Sequence, residues 1–203
     1  DVAERHALVD VERSKGICRG IPSAYWEDQC VFGIAMAWVQ EDRAFARSTC
    51  GEAGRWELYC LHDVNGEIAQ VDPDDAIGWC ERLDPSRQDN CWHGVGKYIG
   101  RQDADAAIDA CWRAPTANDL QGQCFHGIGW AAAESRGLAA AALCEPLQGM
   151  RDSCIMGVAY HAKALQPEQG IRLCEQVAYA PDRERCLTHL RRARSGIDVP
   201  FSN

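Results

Sequence analysis

The stretch Cys91-Trp-His-Gly-Val-Gly-Lys-Tyr-Ile-Gly-Arg-Gln-Asp-Ala-Asp-Ala-Ala-Ile-Asp-Ala-Cys111 holds the plan of the whole chain. Trp92, Val95 and Ile99 stand one, four and eight residues after Cys91. At about 100° per residue these positions share a face, so Cys91 starts a helix (B) with an apolar stripe. Asp103 has the character of an N-cap, and Ala104 to Cys111 reads as a second, shorter helix (A). Two helices joined by a tight turn make an αα-hairpin.

Working outward, the twelve cysteines fall at 18, 30, 50, 60, 80, 91, 111, 124, 144, 154, 174 and 186. Short steps of 12, 10, 11, 13, 10 and 12 residues alternate with long steps that are always 20. A period of about 30 residues marks a repeat array. The apolar stripe recurs as Val31, Ile34, Trp38, as Leu61, Val64, Ile68, and as Phe125, Ile128, Ala132. Helix-start positions twelve residues after the B cysteines hold Asp42, Asp72, Asp103, Arg136 and Gln166, with Pro73 and Pro167 following two of them.

The expected fold is therefore all-α, a right-handed α-solenoid of about six disulfide-stapled αα-hairpin repeats of roughly 30 residues. Its repeats are expected at 3–40, 42–70, 72–101, 103–134, 136–165 and 166–195, within a single domain over 1–203 that ends in a tail, 196–203. Glycines three and five residues after the B cysteines (Gly33, Gly94, Gly96, Gly127, Gly129, Gly157) would weaken isolated helices, and close helix approach is the reading that offsets this.

Two disulfide schemes are sterically plausible. One bridges the long steps and strands Cys18 and Cys186 at opposite ends of the array; the other closes each short loop and uses every cysteine. Parity favours the second, which pairs Cys18 with Cys30, Cys50 with Cys60, Cys80 with Cys91, Cys111 with Cys124, Cys144 with Cys154 and Cys174 with Cys186. Each closure contributes about 3 kcal/mol by the chain-entropy account, which matters for helices too short to be stable alone.

The segments Cys80 to Gly94, Cys111 to Gly127 and Cys144 to Gly157, each a Cys-loop-Cys-x-x-Gly core, carry a resemblance in architecture to secreted cysteine-rich Sel1-like αα-repeat proteins. That resemblance implies a periplasmic or secreted interaction solenoid.

Even, regular cysteines point on their own to an oxidising compartment, periplasmic or extracellular. The chain opens at Asp1, as a secreted protein would after signal cleavage, and a lipid anchor upstream is compatible with this. No stretch is long and apolar enough to span a bilayer; the nearest, Trp130 to Leu143, contains Glu134 and Arg136. A net charge of −9 argues against nucleic acid and against an anionic membrane surface.

Position two after the B cysteine reads Phe32, His62, His93, His126, Met156, Thr188. His62, His93, His126 and Met156 form a ladder. Its plain reading is a polar side chain bonding the adjacent repeat's backbone. Its sharper reading is a site for copper, zinc or haem iron. With packed helices about 8–10 Å apart, two adjacent histidines could reach one ion, but not the outer members. No cofactor is expected on the plain reading. His161 and His189 read as solvated or capping.

The second repeat departs from the pattern, with Asp63 in the glycine position and Asn65-Gly66 as a turn signal, so a locally irregular helix is expected there. Trp38, Trp92, Trp79 and Trp112 read as packing residues, whereas Trp26, Trp56 and Trp130 fall in loops or off the stripe and suit anchors of a protein interface. No catalytic set is expected. Nucleophile, zinc-peptidase and phosphate-loop motifs are absent, and Asp63 with His62 is discounted as an acid–base pair because adjacent helical residues diverge. The expected partner is another protein or a peptide, outside the cytoplasm.

Overall fold

The computed structural model describes residues 2–163 and 166–194. The expected tail, 196–203, lies outside them. In chain order the helices are α1 (Val2–Ala7), α2 (Val11–Arg19), α3 (Ala24–Trp38), α4 (Arg43–Cys50), α5 (Glu57–Val71), α6 (Pro73–Arg82) and α7 (Pro85–Gln102). There follow α8 (Ala104–Trp112), α9 (Leu120–Arg136), α10 (Ala141–Cys144), α11 (Arg151–Ala162), α12 (Pro167–Cys174) and α13 (Ala180–Arg194). No strand occurs among the described residues.

Odd-numbered helices from α3 onward carry the B cysteines, and the short even-numbered ones end at or beside the A cysteines. Aspartate caps account for several starts. Asp42 Oδ1 accepts from the Phe45 amide, Asp72 Oδ1 from Asp75, and Asp103 Oδ1 from Asp105 and Ala106. Asp10 does the same for α2 by accepting from Arg13. Gln166 and Pro167 open α12 as expected, without a side-chain cap bond.

Arg136 does not begin a helix. It ends α9, and Gly137 at φ 58° turns the chain, as glycine commonly does just beyond a helix C-terminus. The following A helix is consequently delayed behind a 3-10 turn, Gly137–Ala140, and shrinks to Ala141–Cys144.

All six short loops are closed by disulfides: Cys18–Cys30, Cys50–Cys60, Cys80–Cys91, Cys111–Cys124, Cys144–Cys154 and Cys174–Cys186, with Cα–Cα distances of 5.3 to 5.6 Å. The B cysteines do not start their helices. They lie three to six residues inside them, so each staple ties the last turn of one helix to the first turns of the next. The variable short step is taken up in the loop between. In the longest, closed by Cys111 and Cys124, Asn118 and Asp119 both adopt positive φ (55° and 59°), a region these short polar residues tolerate.

The chain forms two compact units, the first reaching Gly94 and the second beginning at Val95. In the first unit the core holds Ile34, Leu61, Val64, Ile68, Ile77 and Trp92, all buried; in the second it holds Val95, Phe125, Ile128, Ile155, Val158 and Leu190. The stripe read from the sequence is thus the core, apart from Trp38, which is half-buried and donates its Nε1–H to the Ala7 carbonyl of α1.

The expected irregularity in the second repeat does not occur. α5 runs unbroken from Glu57 to Val71. Asn65 is fully buried: its amide donates to the Ala76 carbonyl and contacts the sulfurs of Cys80 and Cys91, each at 3.1 Å, while its oxygen accepts from Arg47. Tertiary hydrogen bonds have replaced the local turn that Asn-Gly favours.

Candidate functional site

The ladder is placed by close contacts between B helices. A Cβ added at Gly94 would strike the His62 carbonyl, and one at Gly157 the His126 carbonyl. One added at Gly96 would strike the Cys124 carbonyl, and one at Gly129 that of Cys154. The glycines therefore serve backbone approach, and at Gly94 and Gly157 the approach point lies beside the ladder residue of the preceding repeat. In the first unit this brings two imidazoles face to face.

His62 and His93 stack with ring centroids 4.9 Å apart, and His62 Nε2 lies 2.8 Å from His93 Nδ1. His62 is buried, and its Nδ1 donates to Asp63 Oδ1 at 2.6 Å. Asp63 and His62, adjacent in sequence, thus do meet. Both sit at the seam, where the imidazole is long enough to lean back across the divergence that separates neighbouring helical positions. The short contact between His62 Nε2 and His93 Nδ1 is a hydrogen bond between the two rings.

A tetrahedral metal bound at about 2.0–2.1 Å would hold two imidazole nitrogens about 3.3 Å apart. The 2.8 Å spacing is that of a hydrogen bond. Among the described residues no group of three or more His, Cys, Asp or Glu side chains is arranged to hold a metal ion. Phe32, the preceding member of the ladder, stacks on Trp56 at 6.2 Å.

Trp56 belongs to a larger aromatic cluster of the first unit. Tyr25 meets Trp26 edge-on at 4.9 Å and Trp56 at 5.4 Å, and Trp56 also meets Tyr59 at 5.4 Å. Arg55 lies 5.8 Å over Tyr25 and pairs with Asp28. The staples explain the meeting: Tyr25 and Trp26 begin α3 within the Cys18–Cys30 loop, and Trp56 lies in a 3-10 turn within the Cys50–Cys60 loop. Trp26 is 57% exposed and Tyr25 39%, so the cluster has a rigid, half-buried base and an open edge.

In the second unit His126 lies 5.1 Å from Tyr160 and 6.4 Å from Trp130. Burial, reinforced by Arg185 and His189, lowers the His126 pKa to about 3, so the ring is neutral. Met156 is a core residue, 4% exposed. His161 and His189 are engaged rather than solvated: His161 sits edge-on to Trp130 at 5.8 Å, and His189 stacks on Tyr160 at 4.3 Å. Trp112, read as packing, does contact Phe125 at 4.8 Å but leaves 46% of its surface exposed.

Of the residues one turn further on, the sequence reading singled out Trp130 as a candidate interface anchor and missed Lys97 and Tyr160. Lys97, Trp130 and Tyr160 all stand six residues after their B cysteines, Cys91, Cys124 and Cys154, hence four after a ladder residue and on the same face. That i, i+4 offset was the available signal.

No family model, curated protein or solved structure matches this chain.

Proposed function

We propose that the protein is an extracytoplasmic binding or assembly scaffold for another protein or peptide, acting without catalysis. The single observation that carries this reading is the aromatic cluster of Tyr25, Trp26 and Trp56. Large, rigid rings with one exposed edge are the residues from which interfaces draw most of their binding energy. Six disulfides, with no free cysteine among the described residues, support folding in an oxidising compartment, periplasmic or extracellular. No described helix is long and apolar enough to cross a membrane. The repeating register supports a right-handed α-solenoid, a fold that offers extended surfaces to partners.

The test is retention of a partner from extracellular or periplasmic extract of the native source on the immobilised, disulfide-intact chain. Trp26→Ala is expected to weaken retention about 30-fold, the scale of a central interface anchor. Trp112→Ala, an exposed tryptophan outside the cluster, is expected to leave it unchanged. Equal loss in both variants, or in neither, refutes the reading.

A further inference from the structure

The chain holds four asparagines, and only Asn65 is followed by glycine. That dipeptide carries a chemistry of its own. The Gly66 backbone nitrogen can attack the Asn65 side-chain carbonyl carbon: a bond forms from Gly66 N to Asn65 Cγ, the Cγ–Nδ2 bond breaks, and ammonia leaves with the amide proton. Water then opens the cyclic imide at either carbonyl. Opening at Cγ gives aspartate at 65. Opening at the Asn65 main-chain carbonyl gives isoaspartate, whose main chain runs through the side chain and is one methylene longer. Nothing is oxidised or reduced, and water is the sole co-reactant. Glycine favours the ring closure because no Cβ flanks the attacking nitrogen and the turn-like backbone it requires is open to it.

The folded chain holds the reacting atoms apart. Asn65 and Gly66 are both buried in the middle of α5. An α-helical amide bonds to the carbonyl four residues back, that of His62 for Gly66, so its nitrogen is directed along the axis and not toward the preceding side chain. The Asn65 amide is also fixed from outside its helix. Its Nδ2 donates to the Ala76 carbonyl of α6 and contacts the sulfurs of Cys80 and Cys91, at 3.1 Å each, and its Oδ1 accepts from Arg47 of α4 at 2.9 Å. Swinging Cγ round to Gly66 N breaks all of these together. Every partner belongs to the first unit.

We infer that Asn65-Gly66 is a latent self-modification site, locked by α4, α6 and the Cys80–Cys91 disulfide and released when α5 opens. Prolonged opening is then recorded as an irreversible covalent change. Neither product restores the lock. Aspartate has no N–H for the Ala76 carbonyl and sets a carboxylate against that oxygen and two sulfurs; isoaspartate shifts every later residue of α5 along the main chain. The inference is independent of the binding-scaffold reading.

The test incubates the full disulfide-intact chain at one mildly alkaline pH and one temperature, in guanidinium from none to fully denaturing. Peptide mapping by mass spectrometry follows Asn65 conversion, and hydrogen exchange of the α5 amides is read in parallel. Native conversion is expected to be about 100-fold slower than denatured, or slower still, the combined factor of one neutral and one charge-assisted hydrogen bond. Between these limits conversion should rise in step with the open fraction of α5 that exchange reports, as chemistry on a transiently open state does. A native rate within about tenfold of the denatured one, or conversion that does not follow the open fraction, overturns the inference. Chains converted in denaturant and returned to native buffer should exchange their α5 amides about tenfold faster, or more, than unconverted chains treated alike. Equal protection in the two would overturn the irreversible record.

Discussion

Gly129→Ala and Gly16→Ala should change stability in opposite directions, although both replace a helical glycine. In α2 a Cβ at Gly16 meets nothing within 4 Å, so only the helix preference remains, about 0.5–1 kcal/mol in favour of alanine. In α9 a Cβ at Gly129 would come within 2.9 Å of the Cys154 carbonyl carbon and closer still to its oxygen. The obstacle is backbone, tied down by the Cys144–Cys154 disulfide, and cannot rotate aside as a side chain would. Overpacking of a tight contact costs about 1–3 kcal/mol, more where backbone must shift. Subtracting the helix gain leaves about 1–2 kcal/mol of destabilisation at Gly129. Guanidinium unfolding of the oxidised protein, followed by far-ultraviolet circular dichroism, measures both. Two variants shifted in the same direction would refute the argument that the glycines serve backbone approach.

Two further predictions concern polar groups at the helix seams. The lowered His126 pKa means that between pH 6.5 and about 3 the unfolded chain binds a proton that the folded chain refuses. Its effect is nil above pH 6.5, and stability falls as pH drops below that value, by about 2 kcal/mol at pH 5. His126→Leu should flatten that part of the stability profile, and an unchanged slope in equilibrium unfolding between pH 6.5 and about 4.5 would count against it. Asn65→Leu should cost about 2–3 kcal/mol by leaving the Ala76 carbonyl and Arg47 without their buried partner. A loss under about 0.5 kcal/mol by urea or guanidinium titration would show that the turn residue is incidental to the helix.

Much of the scaffold was legible because it is written in local chemistry. The cysteine beat, the apolar positions one, four and eight residues later, and the aspartate caps at Asp42, Asp72 and Asp103 each act within a few residues of themselves. The closeness of His62 and His93 was also readable, since a fixed period puts the same side chain on neighbouring helices. The Asn65-Gly66 reading failed because a buried partner set, Arg47, Ala76 and the Cys80–Cys91 disulfide, outweighs a turn preference of modest energy. Arg136 failed because Gly137, one residue later, could adopt a positive φ that ended the helix first.

By itself, then, the sequence determined the helical class, the register and the pairing of the cysteines, since periodicity and parity leave few alternatives. Only the tertiary structure decided what the side chains do at the seams. It turned Asp63 onto His62, gathered Tyr25, Trp26 and Trp56 from two stapled loops, and laid Lys97 over Trp130. The physical reason is that helix position specifies a direction to within tens of degrees. A hydrogen bond or a ring contact depends on ångström-scale separations, and the depth of helix approach at the glycines sets those.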